Sequence, residues 1–239
     1  MAVDEHGTRA VGPVWTQVPY WIAYQRVRRN LTDLLRYHDG ARDQRVPACP
    51  DWTVRDTIAH LVEICRRTEA SLALGSAGQP ALADDIGQLD LSDLLTEWER
   101  SGRRLEMSMA RAEQAGQGAV MVMDAFAHEV DIRCALGAPR LRDHPACLPA
   151  LEVAIRGFGG SITSYGLPAL RLTTWGAAWT AGDGEPAAVV SASPLDLFRS
   201  LTGRRTHRQI EQLTWTADPA PWLPAFTWGP FLPPDQPAG

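Results

Sequence analysis

The first two-thirds of the chain repeats its apolar positions at the helical period. From Tyr20 to Tyr37, the residues Ile22, Val27, Leu31, Leu34 and Leu35 form one stripe, and Gly40 offers a stop. Val54, Ile58, Leu61 and Cys65 form a second stripe. That helix starts near Asp51-Trp52-Thr53, where either Asp51 or Thr53 can cap it; Asp56 in the first turn favours Thr53. Gly75 to Gln88 is rich in Gly, Ala and Asp and reads as a loop. Ser92 then caps a third helix through Leu94, Leu95, Trp98, Leu105 and Met109 towards Gly116. A fourth runs from about Ala119 to Leu136, ended by Gly137 with Pro139 beyond, and a fifth from Ala146 to Ile162.

After Tyr165 the period changes. Leu170–Trp175 and Ala177–Thr180 have strand content, Gly182-Asp183-Gly184 reads as a turn, and Ala187–Ser191 as the return strand. Ser193-Pro194 opens a short helix through Phe198 and Leu201, stopped by Gly203. A further short helix covers Thr206 to Leu213, and the proline-rich tail from Asp218 is expected to be extended. The reading is α+β, mainly α. Residues 1–165 form a helix bundle, and residues 166–239 a small α/β domain.

Composition narrows the function classes. The 239 residues are 45% hydrophobic and 21% charged, enough for a buried core. The net charge of -5 has the wrong sign for an electrostatic nucleic-acid binder. All 23 basic residues are Arg, which removes Schiff-base and phosphate-loop lysine chemistry. No apolar run reaches the roughly 18 residues of a membrane span, and Met1–Gly12 lacks an apolar signal core, so a cytoplasmic protein is expected. Cys49, Cys65, Cys134 and Cys147 show no CxxC spacing; Cys65 and Cys134 read as small buried helix residues. There is no GxSxG nucleophile elbow. Gly157–Ser161 is glycine-rich but continues a helical pattern rather than following a strand. The nine tryptophans, Trp52 among them, are mainly packing residues, with one or two available to line a pocket.

One constellation could carry chemistry. Asp124 and His128 stand at i, i+4 in the fourth helix and project from one face. His60 lies in the second helix beside the core position Leu61. Two imidazoles and a carboxylate from facing helices make an N/N/O set for a divalent metal with a position left open. The bland alternative is three ordinary polar residues, since a D-x-x-x-H spacing is common. His6, His38, His144 and His207 read as surface or loop residues and Glu129 as a solvated charge. Asp131 reads as an ion-pair partner of Arg133 or Arg55, or as an outer-sphere group behind the site.

Cys49-Pro50-Asp51-Trp52-Thr53-Val54-Arg55-Asp56 with Ile58-Ala59-His60-Leu61 resembles the first signature of the mycothiol-dependent maleylpyruvate isomerase family, within the DinB-like helix-bundle superfamily. Asp124 to Arg133 with Leu136-Gly137-Ala138-Pro139 resembles its second, and Leu201-Thr202-Gly203-Arg204-Arg205 its C-terminal segment. The resemblance implies a four-helix bundle with a small C-terminal α/β domain. It implies a divalent metal, usually zinc, on His60, Asp124 and His128, with Asp where the family's best-described member has Glu. It also implies mycothiol as thiol cofactor, and an arginine near the substrate: Arg204 or Arg205, with Arg208 behind them. The implied activity is addition of a metal-activated thiolate to a small electrophile, as in cis-trans isomerisation of an unsaturated acid. The alternatives are mycothiol S-transfer and a non-catalytic small-molecule binding protein on the same fold. Neither a nucleic-acid nor a membrane partner is expected.

Overall fold

The computed structural model describes residues 18–38, 40–74, 86–111, 118–139 and 143–238. Four long helices build the bundle: α1 (Tyr20–Arg36), α2 (Val54–Leu74), α3 (Leu91–Arg111) and α4 (Gly118–Ala135). α1 packs on α3 and α4, and α2 packs on α3 and more lightly on α4. Val27, Leu31, Ile58, Leu61, Leu94, Trp98, Leu105 and Ile132 meet in the core, each 2% exposed or less. Among the described residues no helix is long and apolar enough to cross a membrane.

The capping residues set the helix starts. Thr53 Oγ1 accepts from the Asp56 amide at 3.2 Å and Asp56 Oδ2 accepts from the Thr53 amide at 3.0 Å, a reciprocal box that starts α2 at Val54. Asp51 is therefore not the cap. Asp51 and Trp52 lie in strand β2 (Cys49–Thr53), which pairs with β1 (Arg45–Val46) in a small hairpin that the helical pattern did not reveal. α3 is capped by Asp90, whose Oδ1 accepts from the Asp93 amide at 2.8 Å; Ser92 falls inside the first turn instead. The expected extension of α3 to Gly116, and most of the expected loop from Gly75 to Gln88, lie outside the described residues. α4 ends where Gly137 adopts φ +60° and the Ala138 amide returns to the Arg133 carbonyl.

α4 is buried over two full turns, with every residue from 125 to 132 inside. α1, α2, β1 and α5 (Cys147–Ser164) surround it. α5 links this layer to the C-terminal sheet, since it also packs on α6 (Pro194–Leu201) and on strand β4 (Ala178–Ala181). The sheet runs β4-β3-β5-β6, with β3 Leu170–Thr173, β5 Ala188–Ser191 and β6 Thr214–Trp215. β3 pairs antiparallel with β4 but parallel with β5. Gly182–Gly184 thus does not close a hairpin between β4 and β5. It carries the chain past the start of β3, so that β5 lies on the other side. The reason is burial: Leu170 and Leu172 are enclosed, and a central strand needs partners on both edges.

Ser193 caps α6, accepting from the Asp196 amide at 3.1 Å, and Thr206 with Gln209 forms a capping box on α7 (His207–Glu211). The proline-rich tail is not simply extended. A 3-10 segment, Ala220–Phe226, buries Trp222, Ala225 and Phe226. Phe226 packs on Phe158 at 4.7 Å, and Trp228 Nε1 donates to the Leu201 carbonyl at 2.8 Å. Aromatic side chains between the prolines fasten the tail to α5 and α6. Gly203, at φ +69°, lets it pass: a Cβ there would stand 2.8 Å from the Leu232 carbonyl oxygen.

Candidate metal centre

α2 and α4 bring His60, Asp124 and His128 together. One ligand atom from each lies within 4.8 Å of the other two. His60 Nε2 is 3.5 Å from Asp124 Oδ2, and His128 Nε2 is 3.7 Å from Asp124 Oδ1. Donors sharing a tetrahedral ion at about 2.0–2.2 Å stand roughly 3.4 Å apart, so these separations suit a common cation. Asp124 Oδ2 adds a second sign of fit, because it is enclosed and makes no hydrogen bond. Burial pushes the Asp124 carboxyl up, but the facing imidazoles, His60 first, together with Arg204, hold it below its ordinary value. The site is open on one side: His60 and Asp124 side chains are 27% and 30% exposed, His128 only 7%.

Trp52, at the end of the small hairpin, walls the site. Its indole lies 5.0 Å from the His60 ring and 5.9 Å from the His128 ring, nearly parallel to the latter. Cys49 lies on the same strand, and its sulfur groups with His128 and Asp131 ligand atoms within 4.8 Å of one another. Burial, reinforced by Asp131, pushes the Cys49 thiol up despite Arg204. Cys49 and Trp52 were not singled out as site residues by helical spacing. The available signal was their place in the Cys49–Thr53 run immediately before the His60 helix, within the first family-like signature.

Behind His128 stands a buried ion pair. Arg204 NH2 donates to Asp131 Oδ2 at 2.8 Å, and the same oxygen lies 3.6 Å from His128 Nδ1. Burial pushes the Asp131 carboxyl up, but Arg204 and then His128 more than offset this. Arg204 also donates from NH1 to the Thr202 carbonyl at 2.6 Å and lies over the Phe231 ring. Of the expected local partners of Asp131, neither Arg133 nor Arg55 makes the contact. Arg133 bonds Glu129, and Arg55 bonds the carbonyls of Gly87 and Leu89. Arg205 turns to Asp196 at 2.8 Å rather than to the imidazoles. Arg208 is exposed.

Two surface readings are corrected. Glu129 is fully buried, not solvated: Asn30 Nδ2 lies at 3.0 Å, Arg133 Nε at 2.9 Å and His144 Nε2 at 3.2 Å. His144 is likewise buried and stacks on Phe126 at 5.0 Å; its Nδ1 accepts from the Ala146 amide at 3.1 Å. Glu129 is enclosed because α4 is covered on every side from residue 125 to 132, and His144 lies against that covered stretch. His38 and His207 are exposed, and His6 lies outside the described residues. Two open grooves, of about 550 Å³ between α5 and β4 and about 530 Å³ between α1 and the start of α3, lie away from the paired imidazoles.

Residues 24–133 match the family model described as the mycothiol maleylpyruvate isomerase N-terminal domain. Among solved structures, a mycothiol-dependent maleylpyruvate isomerase aligns with a TM-score of 0.59 at 16% identity, covering 85% of this chain and 95% of that one. A histidine-to-alanine mutant of a mycothiol-dependent maleylpyruvate isomerase aligns with a TM-score of 0.57 at 15% identity and the same coverage. At such identities the likeness is one of fold. No curated protein matches the sequence.

Proposed function

Since residues 24–133 belong to the mycothiol maleylpyruvate isomerase N-terminal domain family, we propose that this chain is a metal-dependent enzyme that uses mycothiol as its thiol. Its reaction is addition of the thiolate to an electrophilic carbon of a small molecule. Cis-trans isomerisation follows where addition is reversed, and S-transfer where it is not. The observation that carries this reading is the meeting of His60, Asp124 and His128 around an Asp124 oxygen with no hydrogen bond.

His60, Asp124 and His128 would hold the ion, and zinc suits two neutral imidazoles and one carboxylate. An ion held by these residues would supply Lewis acidity, which lowers the pKa of a nearby thiol. The protein's own groups do the rest. Asp131, 3.6 Å from His128 Nδ1, favours the tautomer that carries its proton there and leaves Nε2 as the donor atom. Arg204 keeps Asp131 ionised in a buried place. Trp52 shields one side of the imidazoles from water and offers a flat apolar surface to an acceptor. Burial and Asp131 push the Cys49 thiol up, which favours its protonated form.

The test is metal analysis of the purified protein beside His60→Ala and His128→Ala. Stoichiometric zinc in the wild type with loss in both variants is expected. Equal metal content in all three sinks the reading.

A further inference from the structure

We propose that Cys49 and Nδ1 of His128, with Asp131 beside them, form a second metal position that takes a soft monovalent ion of the copper(I) class, and that its occupation excludes an ion from His60, Asp124 and His128. The exclusion rests on the metal centre proposed above; the soft position itself does not.

The geometry starts from the two nitrogens of one imidazole. His128 Nε2 faces Asp124, 3.7 Å from Oδ1, and Nδ1 faces Asp131, 3.6 Å from Oδ2. The second distance is beyond hydrogen-bond reach, and Nδ1 makes no hydrogen bond although His128 is only 5% exposed. A buried polar atom left unpaired destabilises the fold, and a ligand bound there removes that cost. Cys49 stands on the same side of the ring. Its sulfur and one ligand atom each from His128 and Asp131 lie within 4.8 Å of one another. Cys49 is only partly buried, so an ion can reach the sulfur from solvent.

The donor types choose the ion. A thiolate with an imidazole nitrogen selects copper(I) over the hard, oxygen-seeking cations. Arg204 argues for a single charge. Its NH2 donates to Asp131 Oδ2 at 2.8 Å, so an ion beside Asp131 also meets a guanidinium, which repels a monovalent ion about half as strongly as a divalent one. Binding moves no electrons. The Cys49 thiol gives its proton to solvent as the sulfur bonds copper. His128 gives up a proton at Nδ1 and takes one at Nε2, so the net release is the thiol proton. That tautomer has no lone pair at Nε2 for a zinc ion. His60 and Asp124 then lack their third ligand, and zinc and copper(I) compete through one ring.

Copper(I), kept reduced with ascorbate under argon and competed against bicinchoninate, tests this on the full chain. Cys49→Ser and His128→Ala are each expected to weaken copper(I) binding by more than about tenfold, the least that loss of even an outer-sphere partner costs a metal site. His60→Ala is expected to lose zinc yet keep its copper(I) affinity, since it touches only the other donor set. Cys49→Ser is expected to keep zinc. Unchanged copper(I) affinity in Cys49→Ser or in His128→Ala overturns the proposal. In the wild type, copper(I) is expected to shield Cys49 from iodoacetamide, read by peptide mass, and to drive bound zinc into a chromophoric chelator. An unshielded Cys49 overturns the soft position whether or not the variants fold, and copper(I) uptake with zinc retained overturns the exclusion. A wild type that never holds zinc overturns the thiol-enzyme reading and the exclusion with it, while the copper(I) affinities still decide the soft position.

Discussion

Two glycine-to-alanine changes in helix interiors should move stability in opposite directions. Gly102 sits inside α3, against Arg28 of α1. A Cβ built on it would stand 2.5 Å from Arg28 Cδ and 2.7 Å from Arg28 Nε. Arg28 is not free to swing away. Its side chain is 1% exposed, its Nε and NH2 reach Glu106 Oε1 at 2.8 Å, and its NH1 reaches Glu99. Alanine gains about 0.5–1 kcal/mol of helix propensity over glycine. Against that stands overpacking of about 1–3 kcal/mol if the helices part, or about 3–5 kcal/mol if Arg28 leaves and strands buried Glu106. Gly102→Ala should therefore lose roughly 0–2.5 kcal/mol net if the helices part and roughly 2–4.5 kcal/mol if Arg28 leaves. Gly160, inside α5, has open space within 4 Å of its Cβ position, so Gly160→Ala should gain about 0.5–1 kcal/mol. Scanning calorimetry reads both, at roughly 2–4 °C per kcal/mol for a chain of this size. A rise in Tm for Gly102→Ala like that of Gly160→Ala would refute the claim that Arg28 is locked.

Other outcomes follow from the site and its surroundings. Asp131→Asn should weaken zinc binding by about 10–100-fold in a competition titration with a chromophoric chelator, because it loosens the orientation of His128; an unchanged affinity in a folded variant would contradict that role. Asp124 and Asp131 both titrate below their ordinary values in the folded metal-free chain. Their stabilisation is thus complete above about pH 3.9, the unfolded value, and is lost as pH falls through the lower folded values. Urea midpoints at pH 5 and pH 3 should diverge less in Asp124→Asn and Asp131→Asn than in the wild type. Burial pushes the Cys147 thiol up to about 12, so iodoacetamide at pH 8 should label it far more slowly in the native protein than in urea.

The sequence announced local structure well and long-range contacts poorly. Thr53 with Asp56, Ser193 with Pro194, and Gly137 each carry a start or stop signal within three or four residues, and the helices they bound appear where the period puts them. The i, i+4 spacing of Asp124 and His128 gave their common face. What it did not give was the environment of the next turn. Glu129 read as a solvated charge because acidic residues usually are, and Asp131 as a local ion pair or a group behind the site, its true partner hidden; the burial of both depends on the elements that cover α4. The Asp131–Arg204 pair spans 73 residues and leaves no periodic trace. The parallel pairing of β3 with β5 was equally hidden, since Gly182–Gly184 has the composition of a hairpin turn whichever strand follows. The Pro-rich tail misled for a related reason: proline forbids regular helix but not burial, and Trp222, Phe226 and Trp228 supply the anchors.

The enclosure of α4 also bears on how such a protein diverges. A helix covered on every side over two turns has no position where mutations can accumulate unnoticed. A change of ligand and a change of packing then fall in the same short stretch and must be accepted together. Arg204 is tied to that stretch through Asp131, whereas the hairpin bearing Trp52 lies outside it, so changes of pocket shape are expected in the hairpin before the middle of the bundle.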